Sequence, residues 1–362
     1  MHPRQYLIRA FLVFALLIVA AGCERSERKE KVDADKAKAS IAQSPAASRF
    51  DPDNEPSALT NDALIASFGP LPTAKKKYTF AAMMKFLGNQ YWQFLAEGMQ
   101  SRCRELGVFL EVQAAATESD PEGQLAIMQS MVAKGYSAIL LSPQTDKNLV
   151  PAVQRARNAG ILLVNVDDAV LEDAERFIGP NQYENGVRAA KYFLQRFPQG
   201  GNVAVIRGLA GVYAVNQRSQ GFIDTLKGAS LTIVAQEHGD WDLQRALERA
   251  AGILKEYPDL KGFYCNNDIM ALGVVQAVKS AGKLGQVAVI GTDGIGPAYD
   301  SIRKGELTGT IDTFPYQTGR IAVEVALRLL EGQKLPRVVF SPQNLVTRAN
   351  VDNPLPEYSA KP

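Results

Sequence analysis

The most constraining feature of this sequence is an alternation of short apolar runs with longer amphipathic stretches, which begins at Tyr78. The short runs predict strands at 78–86, 108–114, 137–141 and 161–166, and the longer stretches predict helices at 91–106, 124–134 and 145–159. Strands that are apolar along their whole length need cover on both faces, and the helices between them supply it. This part of the chain therefore predicts a parallel sheet with helices on both sides.

The same rhythm restarts after residues 177–180. Predicted strands at 202–206, 231–235, 262–265 and 287–290 are each followed by a helical stretch. Two windings of one pattern indicate two similar lobes, and the roughly 275 residues involved exceed a typical single core. The predicted fold class is α/β, with two similar doubly wound parallel-sheet lobes.

The N-terminal segment has the pattern of an export signal. Arg4 and Arg9 precede an apolar run over residues 10–21, which is short for a membrane span but has the length of a secretory signal. Small residues precede Cys23, as in a bacterial lipobox, so residues 1–23 are predicted to be a lipoprotein signal peptide with the lipid on Cys23. Ala20 departs from the usual leucine of that motif, which leaves ordinary signal cleavage as the alternative. The predicted location is the periplasm or the outer face of the cell membrane.

A polar segment separates this signal from the first predicted strand. It has mixed charge up to Lys38 and is then rich in Ala, Ser, Pro and Asp, without sustained apolar periodicity. This composition predicts a flexible tether over residues 24–77. A short helical hairpin at 58–68 is the alternative for its last part.

Composition argues against several kinds of site. The net charge of +2 gives no reason to expect a nucleic-acid partner. His2 and His238 are the two histidines of the chain, which leaves little material for histidine-based catalysis. Cys103 and Cys265 lack a CxxC spacing or a neighbouring histidine, so we expect no metal or cofactor. Buried free thiols are expected, and a disulfide between the two is the alternative if the fold brings them together.

Polar and aromatic side chains follow the predicted strands. In open α/β sheets, ligands bind just beyond the carboxyl ends of the strands. These positions are Lys85, 88–92, 142–146, 167–168, 216–218, 240–242, 266–268 and 291–294. Both tryptophans of the chain, Trp92 and Trp241, are among them.

This set of side chains fits a carbohydrate. Sugar hydroxyls donate and accept hydrogen bonds, and carboxylate, amide and guanidinium groups complement them. The rings of Trp92 and Trp241 can cover the two faces of a sugar ring, although a place in the lobe cores is the alternative for each. Lys85 ends an apolar strand, and Asp167 or Asp168 could pair with it for structural reasons alone.

Other candidates also have structural alternatives. Asp146 and Asp268 each precede a helical stretch, so helix capping explains them without a ligand, and the same holds for Asn89. Asp293 lies in a glycine-flanked loop, where a turn carboxylate is the alternative.

From Tyr78 to Asp352 the order and spacing of these residues resemble the ribose-type periplasmic sugar-binding proteins of ABC transporters, which share their core with LacI-type repressors. The most specific stretches are residues 266–273 (NNDIMALG), 290–294 (IGTDG) and 345–352 (LVTRANVD). The resemblance implies a type I periplasmic binding protein fold with a hinge of three crossings, near 179–181, 312–315 and 341–343. The implied first lobe is 78–180 plus 314–342, the second is 181–313 plus 343–353, and 354–362 is a tail.

The resemblance also implies a set of ligand-binding residues. They are Lys85, Asn89, Tyr91, Trp92, Asp167, Asp168, Arg218, Trp241, Asn267, Asp293 and Thr313. Asp168 stands where ribose binders have an arginine, and Thr313 stands where they have a glutamine. Lys85 with Trp92, and an acidic residue after Asp167, are more similar to the allose-binding branch, in which Thr313 is also unusual. The implied ligand is a pentose, a hexose or a polyol.

The implied function is that of a solute-binding component that closes on a sugar and delivers it to an ABC permease and its ATPase. A receptor that reports the sugar to a membrane kinase or chemoreceptor is the alternative. A repressor does not fit, because an export signal stands where a helix-turn-helix would be. We do not expect an enzyme. Residues 207–211 lack the spacing of a nucleotide-binding loop. Asp167 and Asp168 could resemble the acid and base of a glycosidase, but adjacent side chains on an extended segment point to opposite sides.

Overall fold

A computed structural model describes residues 50–171 and 174–355. The strands are β1 (Leu59–Thr60), β2 (Thr79–Phe86), β3 (Phe109–Ala115), β4 (Ala138–Leu141), β5 (Leu162–Val166), β6 (Phe177–Gly179), β7 (Gly201–Arg207), β8 (Leu231–His238), β9 (Gly262–Cys265), β10 (Ala288–Asp293), β11 (Gly309–Asp312), β12 (Val338–Phe340) and β13 (Asn344–Thr347). The helices are α1 (Asn61–Phe68), α2 (Gln90–Glu105), α3 (Pro121–Lys134), α4 (Val150–Asn158), α5 (Gln182–Arg196), α6 (Tyr213–Leu226), α7 (Leu243–Glu256), α8 (Asp268–Ser280), α9 (Gly296–Arg303) and α10 (Pro315–Leu330). The predicted signal peptide with Cys23, and residues 24–49 of the predicted tether, lie outside the described residues.

The strands form two sheets. The first has the order β1-β12-β6-β5-β4-β2-β3, and all of its neighbouring strands are parallel. The second has the order β13-β11-β10-β9-β7-β8, which is parallel except for the antiparallel pair of β11 and β13. We call the first sheet with α1–α4 and α10 the first lobe, and the second sheet with α5–α9 the second lobe. This architecture confirms the predicted α/β class.

Each sheet is covered on both faces, which explains the unbroken apolar strands. Along β2, Phe80, Ala82 and Met84 pack in the cluster that contains α2 and α10, whereas Ala81 and Met83 pack in the cluster that contains α3 and α4. Alternate residues of a strand point to opposite faces, so a strand buried on both sides must be apolar at every position.

The covering helices approach each other closely in pairs. In the first lobe, α2 and α10 pack so that a Cβ atom on Gly98 would lie 2.0 Å from the carbonyl oxygen of Tyr316. No side chain larger than hydrogen fits at that position without moving one helix. The close contact fixes the position of α2, whose first turn carries predicted site residues.

Three segments of the chain cross between the lobes. They follow β6, β11 and β12, and two of them contact each other directly. The Ser341 N–H donates to the carbonyl of Gly179 at 2.9 Å, and the Asn181 N–H donates to Oε1 of Gln343 at 2.7 Å. The three-crossing hinge implied by the sequence is therefore present.

The flexible tether predicted for residues 24–77 is wrong from Phe50 onward. The chain there forms a short 3₁₀ turn, β1 and α1, and β1 pairs with β12 at the edge of the first sheet. Leu64 of α1 is 1% exposed, so this part is folded onto the lobe. The helical alternative at 58–68 is confirmed in part, because α1 is a single helix over Asn61–Phe68 and not a hairpin. The 3₁₀ turn and β1 are too short to produce a periodic sequence pattern.

Two smaller predictions can be compared with the structure. Cys103 and Cys265 are buried free thiols, as expected. The helix expected at 145–159 begins at Val150, because residues 145–149 form a loop in which Asn148 accepts from the Thr145 N–H. Within residues 50–171 and 174–355, no helix has both the length and the apolar character needed to cross a bilayer.

Candidate functional site

A narrow cavity lies between the two lobes, where the carboxyl ends of both sheets meet. Its walls are built from Lys85, Asn89, Tyr91, Trp92, Glu118, Gln144 and Asp168 of the first lobe, and from Arg218, Trp241, Asn267 and Asp293 of the second.

A buried ion pair forms one part of the first-lobe wall. Lys85 ends β2, and its Nζ lies 2.9 Å from Oδ2 of Asp168, with both side chains almost fully buried. The same ammonium group lies 5.5 Å from the centre of the Trp92 ring, a cation–π distance. Oδ1 of Asp168 is buried without a hydrogen-bond partner, so this carboxylate can still accept a hydrogen bond from a ligand.

The start of α2 positions the aromatic part of this wall. Asn89 caps the helix, because its Oδ1 accepts from the Tyr91 N–H at 3.0 Å. The Trp92 indole N–H donates to Oε1 of Glu118, which follows β3. The Tyr91 and Trp92 rings meet edge to face with centroids 5.0 Å apart. These contacts orient the Trp92 ring, since its polar edge is bound to Glu118.

Gln144, in the loop after β4, adds a second unpaired acceptor. Its Nε2 donates to the carbonyl of Thr117 at 2.7 Å, and its backbone N–H donates to Oε1 of Gln124 at 2.9 Å. Its Oε1 is buried and has no partner. A buried acceptor without a donor costs about 1–3 kcal/mol, so a hydroxyl group of a ligand would be stabilised at this position.

Arg218 on α6 is the cation of the second-lobe wall. It is 2% exposed, and its Nε donates to Oε1 of Gln182 at 2.7 Å. One terminal nitrogen donates to the carbonyl of Asn266 at 2.6 Å and lies 3.6 Å from Oδ1 of Asp293. The guanidinium is therefore fixed by groups of its own lobe, with Asp293 beside it at the cavity.

The remaining second-lobe residues are placed by backbone constraints. Asn267 caps α8, with its Oδ1 accepting from the Met270 N–H at 2.9 Å. Trp241 packs over Gly208, where a Cβ atom would lie 2.2 Å from the indole ring. Trp92 and Trp241 thus line the same interlobe cavity, one from each lobe, as the sugar hypothesis requires.

Six residues other than glycine have positive φ angles in the described chain, and all lie at the cavity loops or the hinge. They are Asp167, Asp168, Asp240, Trp241, Asp293 and Phe314. Such backbone costs of order 1–3 kcal/mol per residue and is concentrated at ligand sites. The loops that follow the strands are therefore strained where they present side chains to the cavity.

Burial changes the charge balance of the site. Desolvation raises the pKa of Asp293 well above its usual value, and Arg218 opposes that rise only in part. Burial alone would lower the pKa of Arg218, but Asp293, Asp167 and Asp168 raise it, so the guanidinium stays charged. Desolvation also raises the pKa of Glu118, against the opposing effect of Lys85 and the Trp92 N–H.

Two predicted site residues lie behind the cavity wall. Asp167 is fully buried, and its carboxylate accepts from the Tyr91 hydroxyl and from Nε2 of Gln182 at 2.9 Å. The Thr313 hydroxyl, at the second crossing, donates to the Tyr91 hydroxyl at 3.2 Å. Both residues support Tyr91 in this structure, while Asp168 faces the cavity. The other predicted site residues all line it.

Helix capping is wrong for two of the aspartates to which it was assigned as the structural alternative. Asp146 accepts from the Val170 N–H at 3.0 Å, and α4 begins without a side-chain cap. Asp268 accepts from the N–H groups of Gly294 and Ile295 and from the Thr310 hydroxyl, and so fixes the loop that carries Asp293.

Sequence reasoning missed two residues of the site and did not select a third. Glu118 follows β3 and lines the cavity, so the strand-end rule could have found it. Gln144 also lines the cavity; it lies in the strand-end segment 142–146 but was not among the predicted ligand-binding residues. Gln182 connects Asp167 to Arg218. Gln182 begins a helix just after the first crossing, and no local pattern distinguishes it.

Two lobes with a polar and aromatic cavity between them, connected by three crossings, define a solute-binding protein of the type I periplasmic class. The sequence comparison agrees with this class. The family described as periplasmic binding protein domain matches residues 80–334. The chain belongs to that family.

Individual relatives are similar over most of the chain. The D-allose-binding periplasmic protein of Escherichia coli (strain K12) is 33% identical over 72% of this chain and 86% of its own. A D-ribose/D-allose-binding protein of Pseudomonas aeruginosa is 32% identical over 78% of this chain and 94% of its own. The crystal structure of an ABC transporter periplasmic solute binding protein from Actinobacillus succinogenes with bound D-allose has a TM-score of 0.73 at 30% identity, covering 76% of this chain and all of that one.

Proposed function

We propose that this chain is the solute-binding component of a sugar ABC importer and that it closes its two lobes on a monosaccharide. The observation that carries the proposal is the interlobe cavity with one indole from each lobe and two unpaired acceptors, Oδ1 of Asp168 and Oε1 of Gln144. Indole rings cover the C–H faces of a sugar, and the acceptors bind its hydroxyls.

An aldose of the allose type is the first candidate ligand. Lys85 and Arg218 carry donors, while Asp168, Glu118, Gln144 and Asp293 carry acceptors, so the wall can bind a ring that has several hydroxyls. The similarity to allose-binding proteins supports the same choice. Ribose, hexoses other than allose, and polyols are the alternative ligands to be tested beside it.

The two lobes contact each other directly, and each lobe carries one half of the site. The Ala214 N–H of the second lobe donates to the carbonyl of Asp168 at 3.0 Å, and the Gly296 N–H donates to Oε1 of Gln90 at 2.7 Å. The structure therefore represents the closed arrangement. A sugar that contacts both half-sites binds this arrangement better than an open one, and shifts the equilibrium by that difference in affinity.

Export and anchoring are part of the proposal. The signal pattern predicts transfer across the membrane and a lipid on Cys23, which would keep the protein near the permease and its ATPase. Expression of the Cys23→Ser variant tests the anchor. The proposal expects this variant to leave the membrane fraction, and an unchanged membrane association would contradict lipid attachment at this residue.

Thermal unfolding with a sugar panel tests the ligand. D-allose, D-ribose, D-glucose, D-arabinose and a hexitol are each added in excess, and the midpoint should rise most for the true ligand class. A ligand at about 100 times its dissociation constant stabilises a protein by about 2.7 kcal/mol. A panel in which no sugar raises the midpoint would reject the proposal.

A further inference from the structure

The N-terminal strap, which we define as residues 50–60, begins and ends on the first lobe. The Phe50 ring packs in the cluster of α3 and α4, with the Arg337 guanidinium 3.5 Å from its centre. At the other end, Leu59 and Thr60 pair with β12. The family match begins only at residue 80, so the strap lies outside the part of the chain that defines the family.

Between these two ends the strap binds the second lobe. The Asp53 carboxylate accepts from the backbone N–H groups of Gln182 at 3.0 Å and Tyr183 at 2.9 Å, the first residues of α5. The Tyr213 hydroxyl, at the start of α6, donates to Oδ1 of Asp51 at 2.5 Å and accepts from the Asp53 N–H at 3.2 Å. The strap is therefore a further connection between the lobes, in addition to the three crossings.

Helix capping alone does not account for Asp53. Asn181 already caps α5 from within the second lobe, since its Oδ1 accepts from the Glu184 N–H at 2.8 Å. Asp53 binds the two N–H groups that remain, and it does so from the other lobe. In addition, the Tyr213 ring packs in the apolar cluster of the first lobe together with Phe50.

The bound helix end leads directly to the sugar cavity. Gln182, whose N–H is bound by Asp53, donates through Nε2 to Asp167 and accepts through Oε1 from Arg218. One side chain thus connects a first-lobe carboxylate behind Tyr91 with the guanidinium in the second-lobe wall. A displacement of the first turn of α5 would move both contacts.

We infer that the strap stabilises the closed arrangement of the lobes, with Asp53 and Tyr213 as positioning residues for Gln182 and Arg218. The inference rests on the proposed sugar binding. When the lobes open, the strap stays on the first lobe, and its hydrogen bonds to α5 and α6 are lost. Part of the free energy of closure therefore comes from a segment that precedes the family core.

The variant Tyr213→Phe in the full chain tests the inference, because it removes one hydroxyl and keeps the buried ring. Asp51 is not left isolated, since it still accepts from Asn54 at 2.6 Å. The sugar dissociation constant should rise at least fivefold by calorimetry, because both hydrogen bonds of this hydroxyl are lost. If the unliganded wild type is already closed, the variant should instead show a larger radius of gyration in X-ray scattering without sugar.

A second pair of variants separates positioning from folding. Asp53→Ala should weaken sugar binding further, and Asp53→Asn should restore part of the affinity, because its amide oxygen still accepts from an α5 N–H group. Asp62→Asn, which changes an exposed carboxylate on α1, is the matched control and should bind sugar like the wild type.

The outcomes are distinguishable. If the wild type binds no sugar, the proposed function fails, whatever the strap does. If the wild type binds and Tyr213→Phe changes neither the dissociation constant nor the radius of gyration, the inference is overturned. If Asp53→Ala lowers the thermal midpoint but changes neither the sugar dissociation constant nor the radius of gyration, the strap contributes only to folding stability and the inference is likewise overturned.

Discussion

Nζ of Lys85 lies 2.9 Å from Oδ2 of Asp168 in the wall of the cavity, while the other oxygen of that carboxylate has no hydrogen-bond partner. The two opposite charges therefore neutralise each other in a buried position. The ammonium and the carboxylate can each still form a hydrogen bond with a ligand. Structure and binding can be separated here by changing one or both residues.

The first prediction concerns this ion pair. Lys85→Met should lower the free energy of unfolding by about 3 kcal/mol, because it leaves the Asp168 carboxylate buried without its cation. The double variant Lys85→Met/Asp168→Asn should recover most of that stability in urea unfolding, yet still fail to bind sugar tightly. Wild-type affinity in the double variant would mean that the pair serves only the fold.

The second prediction concerns Arg218 and Asp293. Replacing either by alanine should weaken sugar binding at least tenfold, or about 1.4 kcal/mol, since both side chains line the cavity and are nearly fully buried. Isothermal calorimetry measures the change, and Arg249→Ala, an exposed cation on α7, is the control. Unchanged affinity in both variants would reject the site.

The third prediction uses the two tryptophans. Because both line the cavity, Trp92→Phe and Trp241→Phe each leave a single indole as a reporter. Emission from the remaining indole should change on addition of sugar in both variants, with affinity about fivefold weaker than in the wild type because a phenyl ring covers less of the sugar. If a variant binds sugar but its tryptophan emission does not change, the indole that remains in that variant lies outside the site.

The fourth prediction concerns pH and Asp312. Burial raises the pKa of this carboxyl from 3.8 to about 7, despite hydrogen bonds from Tyr299 and the Phe314 N–H that favour ionisation, and nearby Asp268 adds to the rise. A raised pKa means that the folded state binds the proton more tightly than the unfolded state. Its contribution to stability is complete below about pH 3.8 and is lost as the pH rises through about 7.

The thermal midpoint should therefore fall between pH 5 and pH 8, and the fall should be shallower in Asp312→Asn, which resembles the protonated form. Asp268 and Asp53 have pKa values raised to about 7 by burial as well, so a residual slope should remain. Asp300→Asn, an exposed carboxylate on α9, should leave the slope unchanged. An equally steep fall in Asp312→Asn would contradict the assignment.

Much of the fold was predictable, because a strand that is buried on both faces has an unbroken run of apolar residues in the sequence. Strands such as β4 and β9 are buried at every position and read as unbroken apolar runs. The strands β1 and β11 to β13 show no such run. β1, β11 and β13 include polar residues, and β12 is three residues long. β1 is recognisable only once β12 is present beside it.

The candidate site was predictable from the rule that ligands bind beyond the carboxyl ends of parallel strands, which located nearly all of the cavity wall. The rule did not predict which of the adjacent carboxylates, Asp167 or Asp168, faces the cavity. Asp167 and Asp168 both have positive φ angles, so the backbone turns at this point and the usual alternation of a strand does not decide. Gln182 depends on contacts between distant segments, which a single sequence does not display.

The positive φ angles at the cavity have a consequence for engineering this protein. Glycine would relieve the backbone at Asp168 or Asp293, but it would also remove the carboxylate that pairs with Lys85 or Arg218, so backbone strain and ion pairing oppose each other in the cavity wall. A library intended to produce a thermostable transporter component should keep these codons invariant and diversify the outer helix surfaces instead.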